Sequence, residues 1–423
     1  MKEILLRVAT AGYLASLTKQ SSPIESILAP QSIYFGPVMS YQPYPEARAE
    51  ILSNILTTIE DIAPVIARYK GASEQGRTLA PQVVQVIRES GLIRMKSPRE
   101  LGGAEIHPVD QMEVIEAVTM IDSAAAWSMF IASTVTGRAL TVLSDEAVAE
   151  LMNCEHFPMI AGSLKPAGSA TPVDGGYRVS GQWAWGSGVQ HADYVVVPVF
   201  LADKSRLITA VIPRAQAIVQ DNWHALGING SGSADYVLED IFVPHKFVST
   251  DGHRYRGGAI YRMGYGFAAN EHAIFAYALA KLALNTQILA AKEKRRGYGR
   301  GISIADREIF QRLVGESELR LKATKLLMID VLERLYDAAV KGEAPIELQA
   351  EARAASVLCT DEAIAVTNQL FRYAGGSAVM LDDPMQRILR DLYTAQSHLM
   401  VSDVAYESLG QLRLGVTDTA PIR

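Results

Sequence analysis

GGYRVSGQWAWGSGVQHADYVVV, residues 175–197, decides the fold of this chain. Tyr177, Val179, Gly181 and Trp183 alternate with polar neighbours, the period of a strand that buries one face. The same chemistry continues through ADYVVVPVFLA, RLITAVIP and DYVLEDIFVP, β-branched or aromatic runs separated by Gly, Pro and Asp. Residues from about 158 to 250 therefore read as several short strands in a small barrel or sandwich. Outward in both directions the period becomes helical. Upstream, Ile51, Ile55, Ile59, Ile62 and Ile66 recur near every 3.6 positions, LAPQVVQVIRESGLIRM reads as a helix ended by Gly91, and SDEAVAELM opens with a capping serine. Downstream, 268–296, 305–340, 346–374 and 383–414 are long, Ala- and Leu-rich stretches with short links, a pattern that predicts a four-helix bundle.

Charge and cysteine content narrow the class. The 423 residues carry 40 basic and 46 acidic side chains, a net charge of −6, with no Lys/Arg block to neutralise nucleic-acid phosphates. Cys154 and Cys359 are the only cysteines, which excludes a disulfide scaffold and a Cys-based zinc site; no metal is expected. No uninterrupted apolar run approaches about 18 residues, so no membrane span is expected and the chain reads as cytoplasmic. Arg7 interrupts the apolar start, and Pro23, Pro30 and Pro37 break any regular element that follows. The expected organisation is an extension or poorly ordered arm at 1–44 (with Met39 resembling a natural start), a helical domain at 45–157, a β domain at 158–255 and a helical bundle at 256–423.

Six segments carry candidate chemistry. Trp185 and Ser187 are two apart, so on an extended strand an indole and a hydroxyl share one face, suited either to a flat heterocycle or to a satisfied core. GSLKPAGSATPVDGGYRV (162–179) supplies Ser163 on a connecting loop. NWHALGINGSGSADYVLEDIFVP (222–244) has a Gly/Ser cluster with the wrong glycine spacing for a dinucleotide fingerprint, and His224 reads as a surface or supporting residue. KEKRRGYGRG (292–301) is a basic helix end, which complements the helix dipole whether or not Arg295 has a further role. FRYAGGSAVMLDDP (371–384) turns at Gly375 and Gly376. PMQRILRDLYTAQSHLMVSDV (384–404) reads as a helix, with Arg387, Asp391, Thr394 and His398 in a polar stripe opposite Ile388, Leu389, Leu392 and Leu399.

The helix–strand–bundle order, with these motifs, resembles the acyl-CoA dehydrogenase fold over about residues 45–415. The nearer resemblance is to its group D branch, the oxygenase components of two-component flavin-dependent aromatic hydroxylases. The resemblance implies an α+β multidomain chain with an N-terminal helical domain, a central β-barrel or sandwich and a C-terminal four-helix bundle. Gly181, Trp185 and Ser187 match the family's Gly-x-x-x-Trp-x-(Thr/Ser), which implies a flavin beside Trp185 and a hydrogen bond from Ser187 to its N5. Ser163 is implied at the flavin's pyrimidine edge. Arg295, with Tyr298 and Gly299, matches the family's Arg-x-x-Phe-Gly, implied to reach flavin phosphates across a subunit boundary. Gln311 answers to the Gln that follows, at longer spacing. Gly375 and Gly376 keep the family turn, while Ala378 and Val379 replace its later Gly-Tyr and leave the adenine-side contacts in question.

Where the dehydrogenases carry a catalytic Glu two turns after Arg-Asp, this chain reads Gln396-Ser397-His398, and His398 is implied to face the substrate. Trp127, Phe130 and Thr134 complete the expected pocket, without the second His that phenol hydroxylases tend to carry after Ala-Trp. The implied reaction uses O2 and reduced FMN or FAD from a separate NAD(P)H-dependent flavin reductase, through a C4a-hydroperoxyflavin, on a small phenolic or indole-like aromatic, in a homotetramer. Two alternatives stay open: an acyl-CoA dehydrogenase using Glu271 as base, and an N-oxygenase of an amino group.

Overall fold

The computed structural model describes residues 46–416, apart from Glu155, Tyr265 and 296–300. The expected arm at 1–44, Tyr298 and Gly299 lie outside the described residues. Helix α1 (Glu46–Gly76) buries Leu52, Leu56, Ile59, Ala63 and Ile66, whereas Ile51 is 47% exposed. The sequence pattern had the period right and the phase wrong at its start, because two interleaved sets with the same repeat are available and tertiary packing selects between them. Helix α2 (Pro81–Glu89) precedes Gly91, which takes a left-handed φ of 75°. Helix α3 (Pro108–Thr119) and the almost wholly buried α4 (Ser123–Val142) follow. Helix α5 (Asp145–Met152) is capped by Ser144, which accepts from the Ala147 N–H.

The middle of the chain forms one eight-stranded sheet. Its strands are β1 (Ile160–Gly162), β2 (Ser169–Val173), β3 (Gly176–Trp183), β4 (Tyr194–Leu201), β5 (Leu207–Pro213), β6 (Ile218–Val219), β7 (Tyr236–Pro244) and β8 (Val248–Ser249). The order is β6-β7-β3-β2-β4-β5-β8, with β1 parallel to β4. Val179, Trp183, Val195, Val197, Ile208, Tyr236 and Leu238 form a core separate from that of the helices. Gly181 lies inside β3, beside a register shift, and a Cβ there would sit 2.5 Å from the Gly168 Cα. Its glycine is thus required by a close backbone approach inside the strand.

The bundle comprises α6 (Gly266–Glu293), α7 (Glu308–Lys341), α8 (Ile346–Ala374), α9 (Pro384–Gln396) and α10 (Val404–Leu414). Helix α6 is long and apolar enough to cross a membrane by composition, but 67% of its most apolar window is buried inside the protein. The expected fourth helix is two. Ser397 bonds back to the Tyr393 carbonyl, and His398, with ψ of 140°, accepts the Met400 N–H to open a short 3-10 turn. Side-chain bonds to the local backbone compete there with the helical ladder.

The polar stripe of α9 joins the three domains. Asp391 accepts from the Ile228 N–H at 2.6 Å and the Ser123 hydroxyl at 2.5 Å. Arg387 pairs with Asp122 at 2.7 Å and Glu74 at 3.2 Å, and Arg390 with Glu74 at 2.8 Å and the Leu226 carbonyl at 2.7 Å. Gly227 is pressed against this helix, since a Cβ there would lie 2.4 Å from the Arg390 carbonyl.

Candidate active site

Trp127, near the N-terminal end of α4, is the centre of the site. Its Nε1–H donates to Ser187 Oγ at 3.0 Å, which reaches Ser233 Oγ at 2.9 Å, which in turn reaches Ser231 Oγ at 2.8 Å. A row of hydroxyls from the β-domain loops is thereby registered on an indole of the helical domain. Strand β3 stops at Trp183, so Trp185 and Ser187 do not share a strand face as the sequence suggested. Trp185 instead adopts φ of 59°, its N–H bonded to Asp235 Oδ1 at 3.0 Å, while the Asp235 N–H bonds Asn222 Oδ1 at 3.0 Å. A left-handed backbone is uncommon for a bulky residue. It turns the indole outward, 68% exposed and without an aromatic partner among the described residues.

The other side of Trp127 faces rings. Phe130 and Phe275 lie at 5.2 Å, His272 at 5.4 Å and His398 at 5.6 Å between centroids, all edge-on. His272 and His398 stack at 4.2 Å with 23° between planes. His398 comes from the break after α9, and Phe130 is wholly buried behind the group. Burial in this apolar cluster pushes His398 down to about 4 and His272 well below the ordinary imidazole range, the latter aided by His398 itself. Both are neutral near neutral pH. The hydrogen bonds then set their tautomers. His398 Nδ1 accepts from the Met400 N–H at 3.2 Å, which places its proton on Nε2. His272 Nδ1 faces the Ala268 carbonyl at 3.4 Å, so that nitrogen holds the proton. Its Nε2 is a buried acceptor with no partner among the described residues.

Glu271, one residue earlier, faces elsewhere. Oε1 accepts from both the Lys96 ammonium and the Thr134 hydroxyl, and the Lys96 Nζ also donates to the Phe267 carbonyl at 2.6 Å. Both side chains of the ion pair are fully buried. Burial raises the Glu271 carboxyl and lowers the Lys96 ammonium, narrowing the gap between them. A carboxylate bound to its own counter-ion is a poor free base, and Thr134, expected in the pocket, has its hydroxyl committed to this pair.

The remaining candidates form other groups. Ser163 follows β1 and accepts from the Lys165 N–H at 3.4 Å. Arg295 is exposed at the end of α6 and pairs with Ser303. Its neighbour Lys294 bonds the Ala374 carbonyl and Ser377 Oγ, tying this corner to Gly375 (φ of 76°) and Gly376. Gln311, on the first turn of α7, donates to the Ala305 carbonyl at 3.0 Å. No cluster of metal-ligating side chains occurs among the described residues. The Gly/Ser cluster singled out in the sequence contains Ser231 and Ser233 but not a hint of the hydroxyl row they form, and nothing in the sequence pointed to Lys96. His272 carried one weak signal, its place beside the weighed Glu271.

A flat redox heterocycle fits the exposed face of this arrangement. Trp185 offers an uncovered ring, and Ser187 a hydroxyl with the Trp127 N–H already donating to it. Leu164 and Leu226, 62% and 60% exposed, are further apolar side chains on the loops of the same domain.

Family models agree with the architecture. The model for the acyl-CoA dehydrogenase N-terminal domain matches residues 56–150, and that for the C-terminal domain matches 271–403; together they cover more than half of the chain. A pigment production hydroxylase of Rhodococcus erythropolis is 26% identical over 88% of this chain and 98% of its own. An indole-3-acetate monooxygenase of Pseudomonas putida is 26% identical over 82% of this chain and 90% of its own. Among solved structures, XiaF from Streptomyces sp., in complex with FADH2 and glycerol, superposes with a TM-score of 0.82 at 21% identity, covering 89% of this chain and 98% of that one.

Proposed function

Because the chain belongs to the acyl-CoA dehydrogenase family, in its branch of two-component flavin-dependent monooxygenases, we propose that it hydroxylates a small phenolic or indole-like ring bound beside Trp127 and His398. The observation that carries this reading is the convergence of Ser187 and His398 on Trp127, with no free carboxylate beside them among the described residues. A dehydrogenase needs such a carboxylate to take an α-proton, and the one residue positioned to supply it, Glu271, is held by Lys96.

Reduced flavin, when bound, supplies the activation of O2 and the transfer of one oxygen atom. The chain's own residues do the rest. Trp185 offers the flavin a stacking face. Ser187 presents its hydroxyl toward the flavin's N5 side, fixed in direction because Trp127 donates to it. Phe130, Phe275 and Trp127 keep water from the aromatic pocket, which suppresses wasteful release of hydrogen peroxide. His398 offers its Nε2–H to a substrate oxygen, which orients the ring. Lys294, Arg295 and the Gly375–Gly376 turn form a cationic corner for phosphate, completed across subunits of a homotetramer, and the carrier is FMN or FAD. Cys154 is exposed and Cys359 buried, and neither is in a disulfide, which suits a cytoplasmic enzyme.

The test uses full-length protein with chemically reduced FMN or FAD, mixed with oxygen and a panel of phenols and indoles. Oxygen-18 from O2 in a hydroxylated product supports the reading. Bleaching of oxidised flavin by an acyl-CoA, with no oxygen incorporated from any ring, would overturn it.

A further inference from the structure

We propose that His272 is a substrate-recognition residue: its Nε2 accepts the O–H or N–H proton of the aromatic substrate, and where that group is a hydroxyl the stacked His398 donates to its oxygen. The inference rests on the hydroxylase reading and assigns the acceptor to a residue of α6, where the sequence offered His398 alone.

The argument is one of proton inventory. A neutral imidazole has one donor and one acceptor nitrogen. A carbonyl can only accept, so the Ala268 contact fixes the His272 proton on Nδ1. A backbone amide can only donate, so the Met400 contact fixes the His398 proton on Nε2. The two stacked rings are therefore opposite in character at their remaining nitrogens, one a lone pair and the other an N–H. A hydroxyl, itself both donor and acceptor, is the simplest group that satisfies both. One oxygen with hydrogen bonds of about 2.9 Å on each side spans up to about 5.8 Å between nitrogens. The two rings stack with centroids 4.2 Å apart, so one small polar group can lie against the edges of both. His272 is 3% exposed, and its Nε2 has no partner among the described residues, which is costly unless a ligand supplies one. The surrounding rings of Trp127, Phe130 and His398 supply none.

This defines a substrate class. Rings that carry an acidic hydrogen on oxygen or nitrogen satisfy the lone pair of His272; ethers, thioethers and N-alkyl rings of the same shape leave it empty. Sites built to bond a polar hydrogen reject analogues lacking it much more strongly than apolar pockets reject a missing methylene.

Ligand-observed NMR on the full chain gives the test, with phenol against anisole and indole against N-methylindole, both with reduced FMN under anaerobic conditions and without flavin. Phenol and indole are expected to bind at least about tenfold tighter than their methylated partners. His272→Phe should bring each ratio close to one, and His272→Gln, whose amide oxygen can accept, should restore much of it. In 15N-histidine spectra, the signal lost in His272→Gln should report an Nδ1–H tautomer and the signal lost in His398→Gln an Nε2–H tautomer. Equal affinities within each pair, ratios unmoved by His272→Phe, or one tautomer for both rings would overturn the assignment. Absence of oxygen transfer with intact ratios would refute the hydroxylase reading and leave the donor–acceptor pair standing.

Discussion

Replacing Lys96 by Met should destabilise the protein by about 3–5 kcal/mol, the cost of leaving one partner of a buried ion pair uncompensated. The structure sets the conditions for the upper part of that range. Both side chains are fully buried, Glu271 Oε2 has no partner, and only the Thr134 hydroxyl would remain on Oε1. Unfolding entropy of about 2.1 cal/mol/K per residue gives roughly 0.9 kcal/mol/K for a chain of 423 residues, so the midpoint should fall by about 3–6 °C. Part of the charge cost is relieved because the carboxyl, already raised by burial, takes up a proton in the variant. The assay is urea and thermal unfolding followed by far-ultraviolet circular dichroism, for Lys96→Met, Glu271→Leu and the double variant. The double variant should be more stable than the sum of the single losses predicts, by at least about 1–2 kcal/mol, since apolar replacement of both partners removes the desolvation problem. Strict additivity, or a Lys96→Met protein as stable as the parent, would show that the pair is not holding Glu271. The argument that withdraws Glu271 from catalysis would then fail.

Three further outcomes follow from the same geometry. Ser187→Ala removes the hydroxyl aligned by Trp127, and should increase hydrogen peroxide formed per reduced flavin consumed by roughly 10-fold or more, a hydrogen bond's worth of about 1.4 kcal/mol; unchanged leakage in an oxygen-electrode assay would count against its role. His398→Ala should leave flavin uptake and oxygen consumption intact while product per O2 falls by about an order of magnitude, and undiminished product yield by chromatography would contradict the placement of its Nε2–H. His191, its Nδ1 against the Thr78 hydroxyl at 3.2 Å, is pushed down to about 4 by burial and by Arg88 and Arg214; with His398, also near 4, and His272, also lowered, it stays neutral in the fold while the unfolded chain protonates near 6.5, so stability should fall as pH drops from about 6.5 toward 4. His191→Gln should lower that dependence by about one proton, roughly 1.4 kcal/mol per pH unit, and a urea midpoint with the same pH slope in both proteins would refute the assignment.

The order of layers, the strand content of the middle third and the residue types of the site are legible in the residues alone, because period and turn chemistry are local properties. It placed Trp185, Ser187 and His398 in the argument without a single contact. It also misjudged what depends on phase or on distant backbone. The buried face of α1 was chosen by its neighbours among patterns of equal period, and Gly181 answers to the backbone of Gly168, in the bend before β2. The long helix through residue 398 breaks because Ser397 and His398 bond the backbone beside them, and that break releases the imidazole toward Trp127. Only tertiary structure brought His272 onto His398 and Lys96 onto Glu271, pairs 126 and 175 positions apart. Proton positions and free valences in a buried site are fixed by partners that the chain reaches only after it has folded, and no local pattern encodes them.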